Sequence, residues 1–205
     1  MDSDDEEESE DEEDLDHDEM ILGCTTDLII SLSKATGDQF LPYLTRLGPK
    51  LYQYLGEDHP KSDKIMVIGC LTEVFNNCPS AIANYFDDFI KILIFHSNGN
   101  DASMNRNVSY SFGIMAEKAS VDQFRPYLAK SLECVKKMHT ASDEDDAKDN
   151  CIATITRILE RHSDSFSEQE RNTYFAQIMS AIPLRGDVGE NETIMKFVMN
   201  KFMTD

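Results

Sequence analysis

Apolar residues recur at helical spacing along this chain, and residues 101–138 show the arrangement most clearly. The first apolar pattern there consists of Met104, Val108, Phe112 and Met115, and the second of Phe124, Tyr127, Leu128, Leu132 and Val135. The connector, residues 119–123, is so short that the two predicted helices must turn back and pack antiparallel. One such hairpin has too little apolar surface to fold alone, so we expect it to stack between similar neighbours.

Helical patterns continue on both sides of this hairpin, and no segment shows the alternation typical of a strand. The first pattern begins at Met20, ends at Thr36-Gly37, and predicts an inward stripe of Ile21, Leu28, Leu32 and Ala35. Pro49 is expected to kink or break the second helix, and Ser62 to cap the third. Ser167, followed three residues later by Glu170, predicts a capping box.

The helical patterns repeat with a common period. Asn107 and Asn150 precede equivalent stripes 43 residues apart, and FLPYL at Phe40 returns as FRPYL at Phe124. HEAT and armadillo repeats are ~40 to 47 residues long, whereas a TPR repeat needs ~34. The sequence therefore predicts an all-α fold, a HEAT-repeat α-solenoid of about four helical pairs, over residues 20–205. An irregular helical bundle is the alternative.

Charge divides the chain into two parts. The formal charge is −20, and residues 1–19 hold 14 of the 39 acidic residues and no Lys or Arg. Such a run lacks apolar surface, so we expect residues 1–19 to be a disordered acidic segment, either a spacer or an attractor for a basic partner. The chain lacks the clustered Lys and Arg that phosphate contacts require, which argues against nucleic-acid binding.

Motifs for catalysis and for cofactor or metal binding are missing from the sequence. It contains no Gly-rich phosphate loop, HExxH, CxxC or GxSxG, so we expect no enzyme activity, no cofactor and no metal. His96 and His162 are interpreted as polar groups or cations at helix ends. The five cysteines are expected to be reduced, buried thiols. No apolar run reaches the ~20 residues of a membrane span, and the start of the chain does not resemble a signal peptide.

Three stretches resemble the importin-β superfamily of nuclear transport receptors, and within it the importin-four branch. They are NRNVSYSFGIMAEKA from Asn105 with FRPYLAKSL from Phe124, KDNCIATITRIL from Lys148, and AIPLRGDVGENETIMKFV from Ala181. The acidic run also resembles an insert that precedes the late repeats of these receptors. The resemblance implies a carboxy-terminal portion of a longer receptor, without the amino-terminal repeats that bind the small GTPase Ran.

The resemblance also implies a binding surface on the second helix of each repeat. Polar residues outside the apolar stripes of those helices are the candidate cargo-binding residues: Asp27, Glu73, Asn107, Glu117, Asp149, Asn150 and Glu160. Carboxylates and amides along a groove suit a long basic segment. The predicted function is nuclear import of basic proteins such as histones or ribosomal proteins, by a monomer found in cytoplasm and nucleus. The alternative is an acidic HEAT scaffold or histone chaperone without transport activity, and binding of nucleoporins stays open.

Overall fold

The computed structural model describes residues 3–204, with side chains from residue 17 to residue 203. The prediction that residues 1–19 form a disordered acidic segment falls largely on residues 1–16, whose side chains lie outside this described part. It stays a prediction. The elements of the described residues are all helical, which confirms the predicted all-α class.

Ten α-helices follow one another in the described part of the chain, with single 3₁₀ turns at several junctions. Their bounds are α1 Ser3–Thr36, α2 Leu41–Gln53, α3 Lys61–Asn77, α4 Ile82–His96, α5 Ala102–Lys118, α6 Val121–Phe124, α7 Leu128–Ala141, α8 Asp145–Arg161, α9 Glu168–Ala181 and α10 Asn191–Thr204.

The helices fall into two compact units, residues 1–78 and 79–205. The first unit contains α1 and the pair α2–α3, and the second contains the pairs α4–α5, α7–α8 and α9–α10. The short α6 and the 3₁₀ turn Arg125–Tyr127 lead into α7. These four consecutive pairs confirm the predicted number, and the HEAT-repeat assignment is correct.

Two layers of parallel helices make up the second unit. The second helices α5, α8 and α10 form one layer. Arg106 of α5 pairs with Asp146 of α8 near the starts of these two helices, and Glu117 of α5 pairs with Arg157 of α8 near their ends, while α10 contacts α8. The first helices α4 and α7 run side by side in the same way, with hydrogen bonds from the Tyr127 hydroxyl to Asp87 and from Lys137 to Asn98. These contacts join residues 39 or 40 positions apart, close to the predicted period.

The core of the second unit lies between these two layers, as the apolar pattern predicts. In α5 the whole predicted stripe is buried, and Val108, Phe112 and Met115 have no exposed surface. The second pattern is divided between α6 and α7, and its Phe124, Leu132 and Val135 are buried. In α8 the run from Ala147 to Leu159 is buried with one partial exception, so this helix has neighbours on most of its faces.

The first unit corrects the predicted inward stripe of α1. Ile21, Leu28 and Leu32 are 50%, 59% and 46% exposed, and Ala35 is exposed as well. The buried face is the neighbouring one, with Leu22, Thr26, Ile29 and Ser33, and it packs along α3. The buried hydroxyls are satisfied within α1, since Thr26 donates to the Gly23 carbonyl and Ser33 to the Ile30 carbonyl. In addition, Asn77 of α3 donates to the Ser33 hydroxyl at 3.1 Å.

Helix boundaries follow some of the predicted signals and not others. The Ser167–Glu170 capping box is present, with both reciprocal hydrogen bonds. Gly37, directly after α1, has a φ of 57°, the left-handed conformation that favours glycine at a helix end. The predicted cap Ser62 is wrong, because α3 starts at Lys61 after Pro60 and no side chain caps it. Pro49 does not break α2, which continues to Gln53.

Candidate functional site

The second-helix layer of α5, α8 and α10 brings two of the five candidate residues of the second unit, Glu117 and Glu160, to one surface. Small residues allow α5 and α8 to approach closely: a Cβ on Gly113 would lie 2.9 Å from the Thr154 hydroxyl oxygen and 3.1 Å from Cδ of Arg157. The Thr154 hydroxyl donates to the Ser109 carbonyl at 2.6 Å. This close approach sets the spacing between the carboxyl-terminal ends of the two helices, where Glu117 and Glu160 lie.

A groove of about 580 Å³ opens at those ends. Its lining consists of Glu117, Arg157, Glu160, Gly189, Glu192, Thr193, Lys196 and Asn200. We call this surface the acidic groove. Two of the seven residues predicted from sequence, Glu117 and Glu160, therefore lie together in it, on successive second helices.

Arg157 is the centre of a buried ion-pair network beneath the acidic groove. It is 8% exposed, and its Nη2 lies 2.9 Å from Oε2 of the buried Glu190 and donates to the Thr193 hydroxyl at 3.2 Å. Its Nε lies 3.4 Å from the Glu117 carboxylate, an ion pair without hydrogen-bond geometry. The guanidinium also lies over the Tyr110 ring, 5.5 Å from its centroid. One side chain thus connects α5, the turn before α10, and α10 itself.

The carboxylates of the acidic groove differ in how far they are already paired. Glu117 is half exposed and pairs with Lys118 at 2.8 Å, and Glu192 pairs with Lys196 at 2.6 Å. That bond raises the pKa of Lys196, and the charge of Glu117 acts in the same direction. Glu160 accepts a hydrogen bond of 3.4 Å from Asn200, and its carboxylate has no ion-pair partner among the described residues. Glu160 is therefore the most available acceptor.

Asp149 and Asn150, which the sequence also predicts as binding residues, are buried and hold the loop before α10. Oδ2 of Asp149 accepts hydrogen bonds from the main-chain N–H groups of Arg185, Gly186 and Asp187 at 2.9, 2.7 and 3.1 Å. The Asn150 amide donates to the Asp146 carbonyl and to the Asp187 carboxylate, both at 2.9 Å. In this structure both residues stabilise the loop and neither lines the acidic groove.

The remaining three predicted residues lie elsewhere. Asn107 is half-buried on α5, and its amide donates to the Ser103 carbonyl of the same helix. Asp27 and Glu73 belong to the first unit, where both act on one thiol. Burial, together with the charges of Asp27 and Glu73, raises the pKa of Cys70 to about 12.

One histidine and one cysteine differ from the sequence-based picture. His162 is 1% exposed, its Nε2 lies 3.0 Å from the Ala116 carbonyl oxygen, and its ring stacks on Phe124 at 4.9 Å. Burial lowers the pKa of His162, which disfavours its charged form, so of the two interpretations the polar group at a helix end fits this structure and the cation does not. Four cysteines are buried as expected, but Cys24 is exposed.

The described residues offer neither a clustered set of metal ligands nor a single helix suited to crossing a membrane. No group of three or more His, Cys, Asp or Glu side chains is placed there to hold a metal ion. No single helix in that range is both long and apolar enough to cross a membrane. The segments Lys61–Asn77 and Pro79–His96 reach the required length only when they are taken together.

The layered helical pairs and the groove between their second helices define a class of protein, the HEAT-repeat binding scaffold. Residues 17–169, more than half of the chain, match the model of a family described as importin subunit beta-1-like, TPR repeats. The chain belongs to this importin-β-like family of transport scaffolds, which are not enzymes. Although that description speaks of TPR repeats, the contacts of α5 with α8 and with His162 directly after it join residues 40 to 46 positions apart, which is the length of HEAT repeats.

Proposed function

We propose that this chain is the cargo-binding segment of a nuclear import receptor that recognises basic proteins such as histones or ribosomal proteins. We further propose that it corresponds to the carboxy-terminal repeats of an importin-four-like receptor. One observation carries the proposal: Glu117, Glu160 and Glu192 lie on three successive second helices and line one groove.

The charges of the acidic groove favour a cationic occupant. The lining carries the carboxylates of Glu117, Glu160 and Glu192 against Lys196, since Arg157 is paired with buried Glu190. Glu117 is also paired with Lys118 and Glu192 with Lys196, so Glu160 is the carboxylate that has no ion-pair partner among the described residues. Each carboxylate can accept charge-assisted hydrogen bonds from Lys or Arg, which are about twice as strong as neutral ones. Because parallel second helices repeat along the layer, an extended segment with spaced basic residues can meet one carboxylate per repeat.

Binding affinity for a basic peptide tests this proposal. A fluorescent peptide from the amino-terminal tail of histone H3 is titrated with the full chain, with Glu117→Lys/Glu160→Lys, and with Glu133→Lys. Glu133 is an exposed carboxylate on the first helix α7, paired with Lys130 at 2.9 Å, so its substitution is the matched surface control. We expect the double variant to lose at least about tenfold in affinity, equivalent to ~1.4 kcal/mol, and the control variant to bind normally.

An acidic scaffold or histone chaperone without transport activity is the second candidate, and the 14 acidic residues of residues 1–19 favour it. Deletion of residues 1–19 distinguishes the two. If H3-peptide affinity disappears completely while the remaining helices stay folded, the acidic groove is not the binding site. If most of the affinity remains and is lost on Glu117→Lys/Glu160→Lys, the groove proposal is supported.

Transport requires partners beyond cargo. We propose that the protein shuttles as a monomer between cytoplasm and nucleus, that nucleoporins remain candidate partners, and that Ran is bound by repeats not contained in this chain. A pull-down from nuclear import extract, probed separately for histones, ribosomal proteins and Ran, tests this. Capture of basic proteins without Ran is the expected result.

A further inference from the structure

The first unit contains a second concave site, and none of its lining residues belongs to the acidic groove. A cleft of about 690 Å³ lies among α1, the end of α2 and the start of α3. Its floor is apolar, since the lining residues Leu22, Ile29 and Leu51 are 6%, 5% and 5% exposed. Half-exposed Ile21 and partly exposed Tyr54 form its walls, and Tyr54 packs on the His59 ring at 4.6 Å. We call this site the α1–α2 cleft.

The mouth of the α1–α2 cleft is acidic. Asp18 and Glu19 of α1 are exposed lining residues, and they end the run in which residues 1–19 hold 14 acidic side chains. A third lining carboxylate, Asp63, lies 3.5 Å from the His59 ring nitrogen. Lys50 is the one Lys in the lining. An apolar floor below an acidic mouth offers burial to an apolar side chain and favourable charge to cationic residues beside it.

A second copy of this chain is a poor occupant of the α1–α2 cleft. Each copy carries a formal charge of −20, and the acidic run directly before Asp18 would be brought close to another acidic chain. Like charges that meet at an interface disfavour association. Complementary charge requires a cationic partner.

We propose that the α1–α2 cleft binds a peptide segment of a partner protein in which a bulky apolar residue is flanked by Lys or Arg. The apolar side chain enters the cleft and rests on Leu22 and Leu51, while the flanking cations face Asp18 and Glu19. The α1–α2 cleft therefore selects partners by an apolar side chain, whereas the acidic groove selects them by positive charge. The two sites are tested separately, because they lie in different units and share no residue.

Two synthetic peptides of equal charge provide the test, KKRLFRKK and KKRSSRKK, titrated into the full chain at 150 mM salt. Burial of one Leu or Phe side chain accounts for at least about tenfold in affinity, so we expect KKRLFRKK to bind about 10- to 100-fold more tightly. Ile21→Ser should remove most of this difference, and Thr25→Leu, which narrows the cleft, should reduce it as well. Both residues line the cleft, and Thr25 is exposed and Ile21 half exposed, so neither change should unfold the protein.

Leu28→Ser is the matched control, since Leu28 lies on the same helix with 59% exposure but does not line the cleft. We expect it to leave the preference for KKRLFRKK unchanged. Equal binding of the two peptides, or equal effects of Ile21→Ser and Leu28→Ser, would overturn the proposal. So would sedimentation showing that the free chain self-associates and that Ile21→Ser abolishes this self-association, because the occupant would then be a second copy.

Discussion

The ion pair between Arg157 and Glu190 allows a quantitative prediction about what stabilises the second unit. The two side chains are 9% and 8% exposed, and Nη2 lies 2.9 Å from Oε2. At this distance the attraction is about 6 kcal/mol for an effective dielectric constant near 20, and the desolvation of both groups offsets much of it. Removal of one partner leaves the other charge buried and unpaired. We therefore expect Arg157→Met to lower the free energy of unfolding by about 3 to 5 kcal/mol.

Removal of both partners should be far less harmful than removal of one. In Arg157→Met/Glu190→Gln no charge is left buried, so we expect the free energy of unfolding to return to within about 1 to 2 kcal/mol of the original chain. Urea denaturation followed by circular dichroism gives the four free energies of a double-mutant cycle. If each single change costs about 3 to 5 kcal/mol and the double change about 1 to 2 kcal/mol, the expected coupling energy between the two sites is at least about 4 kcal/mol.

The burial of an ion pair, rather than the distance between its charged atoms, should decide how much its removal destabilises the protein. The Arg106–Asp146 pair is as short, at 3.0 Å, but its side chains are 48% and 35% exposed. Arg106→Met should therefore cost less than about 1 kcal/mol. The reasoning is refuted if Arg106→Met and Arg157→Met destabilise equally, or if the costs of Arg157→Met and Glu190→Gln simply add.

Three further predictions concern the core, a buried histidine and a loop. Phe112→Ala removes a fully buried ring and should cost about 3 to 5 kcal/mol, measured by denaturant unfolding. Burial lowers the folded-state pKa of His162, so the unfolded chain binds more protons than the folded one as the pH falls. The stability that His162 contributes should therefore be complete above about pH 6.5 and decrease as the pH drops below it. Thermal melts at pH 7.5 and 5.5 measure this dependence, and His162→Gln should weaken it. Gly186→Ala should lower the melting temperature, because its Cβ would overlap the main chain of Asp146; an unchanged melting temperature would contradict this close packing.

Much of the fold can be predicted from the sequence where one face of a helix is clearly apolar. The α5 stripe from Met104 to Met115 is such a case, and the repeat period predicted from it agrees with the contacts. In α1 the rule fails, because Thr26 and Ser33 are buried with hydroxyls that bond to their own helix, while Leu28 and Leu32 face outward. A hydropathy pattern places such polar side chains at the surface, because it does not account for a hydrogen bond from the hydroxyl to a carbonyl of its own helix.

The candidate site is predicted less completely than the fold. Glu117 and Glu160 could be proposed because charged residues next to an apolar stripe face away from the core. Asp149 has the same pattern but accepts three main-chain N–H groups of a loop 36 to 38 residues later, a partner that helical periodicity does not reveal. Arg157 was missed, although a single cation inside the apolar run CIATITRIL was a usable signal. A lone charge within an apolar run indicates a buried partner.

The spacing of the contacts has a consequence for biosynthesis. The hydrogen bonds described here between neighbouring repeats of the second unit join residues at most 46 positions apart, as between His162 and Ala116. A helix such as α8 therefore has its partners in α5 and α7 already synthesised when it leaves the ribosome. Stacked repeats of this kind can fold one after another as translation proceeds, without waiting for the end of the chain. A pause in translation between repeats would leave a folded array with one exposed apolar end, ready for the next pair of helices.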